Sequence, residues 1–330
     1  MNNILEVKDL ITRFYQKNKT VYAVNGVNFS VKEGEILGIV GESGCGKSVT
    51  LLSILGLIPR NQGKVESGSA LFSGKDLLQM HKNDIRKVRG GQIGMVFQDP
   101  MTSLNPLLNI ETQLSEAPIL HQKTNNRFSR KYCIDLLQQV GIPEPTSRIF
   151  DYPHHFSGGM CQRVMIAMAI SCEPKLLIAD EPTTALDVTV QAQIIDLIKN
   201  LRKKIGMSVI WITHDLGVIA DLAQKVLVMY SGYVVEEAPV QVIFQAPKHP
   251  YTRGLLGSTP KKGSKRTDRL INIEGTPPDG FTSNTGCPFT PRCKYSFNKC
   301  FEENPTLKKI NSNHKIACWW DIDKNKKSYE

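Results

Sequence analysis

Long hydrophobic runs are missing from this 330-residue sequence. No stretch reaches 18 consecutive apolar residues, so no segment is expected to span a bilayer as a helix. The start, "MNNILEVKDLITRFYQ", lacks a basic segment followed by an apolar one, so no secretory leader is expected. A cytoplasmic setting follows, in which thiols stay reduced. Internal repeats and low-complexity tracts are absent as well. Eight cysteines are present, yet none forms the close C-x2–4-C pair usual for structural zinc.

What is present is ordinary for a globular protein: 41% hydrophobic and 22% charged residues. The net charge of +10 is uneven. From residue 241 onward 16 Lys and Arg face 8 Asp and Glu, an excess of eight positive charges in 90 residues. That bias suits a nucleic-acid surface, an anionic membrane face or simply a solvated tail.

Short Val- and Ile-rich runs alternate with helical patterns through the first 240 residues. "GEILGIV" (34–40), "GQIGMVF" (91–97), "KLLIAD" (175–180), "SVIWIT" (208–213) and "KVLVMY" (225–230) read as buried strands of a parallel sheet. Helical periodicity covers Met160–Cys172 and Val188–Lys204. The expected fold is therefore α/β. Residues 101–156 interrupt the rhythm and read as a helical insertion. Beyond 240 Pro, Gly, Lys and Cys rise and long periodic segments stop, which places a domain boundary there.

"GESGCGKS" (41–48) fits the phosphate-binding pattern G-x-x-x-x-G-K-[ST] and follows a predicted strand. Backbone N–H groups of Gly41, Glu42, Ser43, Gly44, Cys45 and Gly46 would cradle phosphates at the positive end of the next helix. Lys47 would reach the β- and γ-phosphates, and Ser48 would bind Mg²⁺. "LLIADEP" (176–182) delivers Asp180 at a strand end to hold Mg²⁺, and Glu181 beside it to polarise water. "FSGGMCQRV" (156–164) sets Ser157, Gly158 and Gly159 at a helix opening, a second anion site. "ALD" (185–187), Gln98 in "VFQDP" and His214 in "ITHD" are individually bland polar loop residues.

Taken in order, these motifs resemble the ATP-binding cassette (ABC) family over about residues 4–240. The resemblance implies a P-loop ATPase with a parallel-rich core sheet, an antiparallel β subdomain and a helical subdomain at about 101–172. It implies that two cassettes close face to face around ATP, held by one P-loop and the partner's Ser157–Gly159 segment. Glu181 would be the general base, and His214 would touch the γ-phosphate. Gln98 would sense Mg²⁺ and the attacking water, and Asp187 would couple the two sites. An aromatic residue stacks on adenine; Tyr15, Phe14 and Tyr22 qualify, with Tyr15 preferred. Phe156 and Met160 depart from the family's usual signature ends, and Cys161 stands where relatives often carry Arg.

Cys287, Cys293, Cys300 and Cys318 crowd into 32 residues of the tail. Reduced thiols so clustered suggest a metal centre, either zinc or an iron–sulfur cluster, or else free thiols. The remaining four, Cys45, Cys133, Cys161 and Cys172, read as small buried hydrophobes. "FQDPMTSLNP" (97–106), "HPYTRGLL" (249–256), "GTPPD" (275–279) and "GCPFTPRC" (286–293) resemble the ATPase subunits of dipeptide and oligopeptide importers. That resemblance implies a [4Fe–4S] cluster on the four cysteines, in a C-terminal module spanning 241–330. Arg292, Lys294, Lys299 and Lys315 would offset its charge, and Trp319 and Trp320 would shield it. It also implies a paralogous ATPase partner, two transmembrane permease subunits and, indirectly, an extracytoplasmic substrate-binding protein. The chain would sit peripherally on the cytoplasmic face of the membrane, with no nucleic-acid partner. Nickel or another small solute as cargo, and a soluble non-transport ABC ATPase, are the alternatives.

Overall fold

The computed structural model describes residues 2–16, 19–122, 126–184, 186–258, 273–280 and 285–328. In chain order the strands are β1 (Asn3–Gln16), β2 (Lys19–Lys32), β3 (Ile36–Val40), β4 (Gly63–Phe72), β5 (Lys75–Asp76) and β6 (Ile93–Val96). They continue with β7 (Leu176–Asp180), β8 (Ser208–Ile212), β9 (Lys225–Tyr230), β10 (Tyr233–Pro239), β11 (Lys308–Asn311) and β12 (His314–Ile316). A last two-residue hairpin pairs Trp320–Asp321 with Lys326–Lys327. The helices are α1 (Lys47–Ile54), α2 (Lys82–Val88), α3 (Pro100–Ser103), α4 (Ile110–Gln122), α5 (Asn126–Gln139) and α6 (Pro145–Arg148). They are followed by α7 (Gly158–Ile170), α8 (Val188–Ile205), α9 (Leu216–Leu222), α10 (Val240–Gln245), α11 (Pro250–Gly257) and α12 (Asn298–Glu302). The five strands and two long helices expected from the sequence are all present.

The chain forms two compact units. The first comprises Met1–Ile4, Val31–Ile36 and Gln79–Ile212. Within it β7 runs parallel between β6 and β8. Every residue of β7 and β8 is buried, so both faces of these strands are covered, as their unbroken apolar sequences require. Helices α4, α5 and α7 pack on one another. Cys133, Cys161 and Cys172 are buried here as apolar filling. Asp187 caps α8, and Gly206, with φ at 76°, ends it in a left-handed turn.

The second unit comprises Leu5–Ser30, Leu37–Leu78 and Thr213–Glu330. It holds an antiparallel sheet ordered β2-β1-β4-β5. It also holds β3 paired in parallel with β9, on which β10 lies antiparallel. The C-terminal extension continues that sheet: β12 pairs with β10 through Glu236↔Ile316 and Glu237↔Lys315, and β11 pairs with β12. A tail that read as irregular is thus partly sheet, with strands too short to show a period.

Its anchor is a pair of acids on β10. Glu236 is fully buried and accepts from the backbone N–H of Lys248 (2.7 Å) and His249 (3.0 Å). It also meets His314 Nε2 at 2.7 Å. Glu237 takes Lys315 at 2.9 Å and Lys225 at 3.5 Å. Burial works to raise the Glu236 carboxyl, but the bonds from His314, Thr252, Lys248 and His249 outweigh it and hold it below the usual range. Burial pushes His249 down to about 4, so it stays neutral in the fold.

Both shifts have one sign. The unfolded chain takes up the His249 proton between about pH 6.5 and 4, and the Glu236 proton as pH falls through the carboxylate range. Each makes stability rise with pH. The melting temperature is therefore expected to be several degrees lower at pH 5 than at pH 7.5, measured by calorimetry. An unchanged value would remove these two groups from the stability account.

Candidate nucleotide site and four-cysteine pocket

In the second unit β3 ends at Val40, and residues 41–46 turn into α1. Gly46 has φ at 98°, and a Cβ there would lie 2.4 Å from the Ala23 carbonyl oxygen. No other residue fits this turn. The Lys47 ammonium is buried and donates to the carbonyls of Gly41 (2.9 Å) and Glu42 (3.0 Å). Ser48 is the second residue of α1. Cys45 is buried beneath the loop, and burial pushes its thiol up. Ser43 and Gly44 are exposed at the mouth.

The loop faces an open cleft of about 320 Å³. Phe14 and Tyr22 line it on one side, and Pro277–Gly280 of the extension on another. Tyr22 N–H donates to the Gly280 carbonyl at 2.8 Å, which ties that segment to β2. Tyr15, the residue preferred for stacking, does not line the cleft: it is half exposed, and its hydroxyl donates to Glu66. Adjacent residues of a strand point to opposite faces, so Phe14 and Tyr15 cannot both face the cleft. His214 also belongs to this unit; it is exposed, directly after the buried Thr213.

The first unit holds the acids. Asp180 is buried at the end of β7. Glu181 follows with φ at 47°, a left-handed conformation that costs a non-glycine residue about 1 kcal/mol or more. Its backbone N–H is fixed on the Ile212 carbonyl at 3.0 Å. Thr184 Oγ1 donates to Glu181 Oε2 at 3.0 Å, and Gln98 Nε2 approaches the same oxygen at 3.4 Å. In the same unit Ser157 caps α7, with its hydroxyl accepting from Met160 N–H. Ser157 and Gly158 are exposed, and a Cβ on Gly158 would meet nothing within 4 Å. A Cβ on Gly159 would lie 2.9 Å from Val190, so the starts of α7 and α8 approach closely. Asp187 accepts from Thr189 and Val190 N–H groups at 3.0 Å.

In the extension Cys287, Cys293, Cys300 and Cys318 line one pocket, with His249, Trp319 and Trp320 among its other walls. The enclosed space is small, about 10 Å³. Among the described residues no His, Cys, Asp or Glu group is drawn together tightly enough for a single metal ion. Burial pushes Cys293 up to about 11 and Cys318 up to about 12, so without a cation beside them they keep their protons. Backbone N–H groups already aim at the sulfurs, including Trp320 N–H on Cys318 Sγ at 3.4 Å. The indole N–H of Trp320 is buried without a partner. The pocket thus gathers four thiols, a backbone donor and an orphaned indole N–H. The basic neighbours are used differently from the sequence expectation. Arg292 turns to Glu42, Lys315 to Glu237, and Lys299 lies over the Trp319 ring at 4.2 Å.

A glycine loop opening a helix and a strand closed by Asp-Glu are the parts of a P-loop nucleotide hydrolase, and the Ser-Gly-Gly helix start narrows this to an ATP-binding cassette. The profile of the family described as ABC transporter matches residues 24–184, and that of the oligopeptide/dipeptide transporter C-terminal region matches residues 235–300. The chain is 49% identical over 319 residues to the oligopeptide transport ATP-binding protein OppD of Bacillus subtilis (97% of this chain, 89% of that one). It is 47% identical over 320 residues to the dipeptide transport ATP-binding protein DppD of Escherichia coli (97% of each). Among solved structures, the dimeric post-hydrolysis cassette MJ0796 bound to ADP and Pi aligns with a TM-score of 0.65 at 28% identity. That alignment covers 72% of this chain and 98% of the other. The chain belongs to the ABC transporter family, as an ATPase of the oligopeptide/dipeptide transporter group.

Proposed function

We propose that this chain is the ATP-hydrolysing subunit that energises an importer of dipeptides or oligopeptides. The observation that carries the reading is identity of 47 to 49% along 97% of the chain to ATP-binding proteins named for peptide transport, C-terminal region included. Nickel and other small solutes are correspondingly disfavoured as cargo, and so is a soluble non-transport role.

Residues 1–240 are the cassette, with a helical subdomain at about 101–172, and 241–330 are the extension. The backbone of Gly41–Gly46, Lys47 and the helix start hold the phosphates, while Ser48, Gln98 and Asp180 hold Mg²⁺. Glu181 orients and deprotonates the attacking water, and His214 contacts the γ-phosphate. Phe14 or Tyr22, in place of Tyr15, stacks on adenine; their position in the cleft supports this. The exposed Ser157–Gly158 face supports a partner cassette, a paralogue, closing over ATP there, with Asp187 coupling the two sites. Apolar side chains exposed on the insertion, among them Met101, Leu107, Leu108 and Phe150, support docking on two permease subunits. No helix among the described residues is long and apolar enough to cross a membrane, and a peripheral position on the cytoplasmic face accounts for that. An extracytoplasmic binding protein supplies the peptide, and no nucleic acid takes part.

The four-cysteine pocket is read as the seat of a [4Fe–4S] cluster, supported by four thiols that line one pocket and by backbone N–H groups aimed at them. When bound, the cluster supplies cross-linking to an extension with little core of its own. Near four iron and four sulfide per chain are expected after anaerobic purification. Stoichiometric zinc without sulfide would overturn the cluster.

The transport reading is tested by co-purifying the chain with its membrane subunits and a peptide-loaded binding protein. Peptide is expected to stimulate ATP hydrolysis several-fold, and a nickel chelate is not. Stimulation by the chelate alone would replace the cargo assignment.

A further inference from the structure

The second residue of the phosphate cradle is an acid. A carboxylate beside bound triphosphate repels it unless a cation neutralises the charge in place. The structure supplies one from 250 positions further along the chain: Arg292 Nη1 donates to Glu42 Oε2 at 2.8 Å and Nη2 to Oε1 at 3.1 Å. This two-pronged geometry belongs to guanidinium and not to ammonium. The Arg292 side chain is only 5% exposed, and its other N–H groups are used on the carbonyls of Glu274 (3.1 Å) and Ile273 (3.3 Å) and on the Tyr230 hydroxyl (3.3 Å). Arg292 closes the 3-10 turn Thr290–Arg292, immediately before Cys293.

Glu42 is held from two further directions. Its backbone N–H donates to Tyr251 Oη at 2.9 Å, and its carbonyl accepts from Lys47 Nζ at 3.0 Å. Tyr251 packs against Tyr230 and Phe289, with ring centroids 4.6 and 5.5 Å away. One P-loop residue therefore meets the extension by side chain and backbone, and meets the phosphate-binding lysine by its carbonyl.

We infer that Arg292 is a positioning residue for the P-loop, which neutralises Glu42 so that the C-terminal extension completes the cassette's own nucleotide site. The inference rests on reading residues 41–48 as the ATP cradle. Stability alone does not explain the pair, because buried ion pairs exchange for apolar residues of similar volume at little net cost. Its sign does explain it: removing Arg292 leaves an uncompensated negative charge against the nucleotide.

The test is Mg·ATP affinity of the full chain, read by equilibrium binding of a fluorescent ATP analogue. Arg292→Met fills the volume without the charge and is expected to weaken binding about 10- to 100-fold. Arg292→Lys keeps the charge without the fork and is expected to lose less. The deciding variant is Glu42→Gln with Arg292→Met, in which the repelling charge is gone: affinity is expected to return to within about threefold of the wild type. Packing damage would not be repaired by a second substitution. Wild-type affinity in Arg292→Met, or a double variant as weak as the single one, overturns the inference. A wild-type chain whose binding is insensitive to Lys47→Ala would instead overturn the ATP cradle itself. Melting curves of each variant show whether weak binding accompanies unfolding, and the charge-preserving Arg292→Lys keeps the result readable if Arg292→Met unfolds.

Discussion

Glu181→Gln is expected to bind Mg·ATP with nearly unchanged affinity and to lose a hundredfold or more of turnover. The amide keeps the size and hydrogen-bonding reach of the acid but cannot take a proton from water. A positioned general base contributes about 10²–10⁴ in rate. The structure adds a reason for this residue and not Asp180. Of the two acids, Glu181 carries a left-handed backbone, held by its N–H on Ile212, and its carboxylate already accepts from Thr184. Asp180 is buried at the strand end, suited to a metal and poorly placed to move. Single-turnover hydrolysis and analogue binding, measured side by side, separate the two roles. Full turnover in Glu181→Gln would return the base to another residue.

The second large effect concerns Gly158. A side chain there meets open space, and the residue caps no turn of positive φ, so Gly158→Asp is expected to fold with an unchanged melting temperature. ATP binding to the chain's own P-loop is expected to survive, because the substitution lies on the exposed helix start. Hydrolysis by the paired cassettes is expected to fall about a hundredfold or more. A carboxylate about 4 Å from a phosphate costs about 4 kcal/mol at an effective dielectric of 20, enough to prevent closure. The combination separates a composite site from a site built within one chain. If Gly158→Asp hydrolyses ATP like the wild type, no partner nucleotide rests on this helix.

Much of the chemistry was legible because it depends on local rules. A glycine loop between a strand and a helix, and an apolar strand ending in Asp-Glu, are recognisable within ten residues. Strands β3, β7, β8 and β9 were equally plain, since burial on both faces demands unbroken apolar sequence. Three features were not legible. The bulged register of β1, with Asp9 at φ 47°, shifts the strand's alternation and hides which of Phe14 and Tyr15 faces the cleft. The pairing of β10 with β12 was masked by its own chemistry: Glu236 and Glu237 look like surface, while β12 has three residues. The Arg292–Glu42 pair joins positions too distant for any spacing rule, and a basic residue beside a cysteine is explained more simply by charge on a metal centre.

The central claim, that ATP hydrolysis by this chain drives peptide transport, is tested most directly in vesicles. The chain, the partner ATPase proposed for it and two permease subunits are reconstituted with Mg·ATP on the cassette side. A radiolabelled dipeptide with its binding protein is placed on the other side. Peptide is predicted to accumulate across the membrane against its gradient with the wild-type chain, and to stop at equilibrium in the variant carrying Glu181→Gln. Equal accumulation by both chains, or accumulation without ATP, would contradict the account.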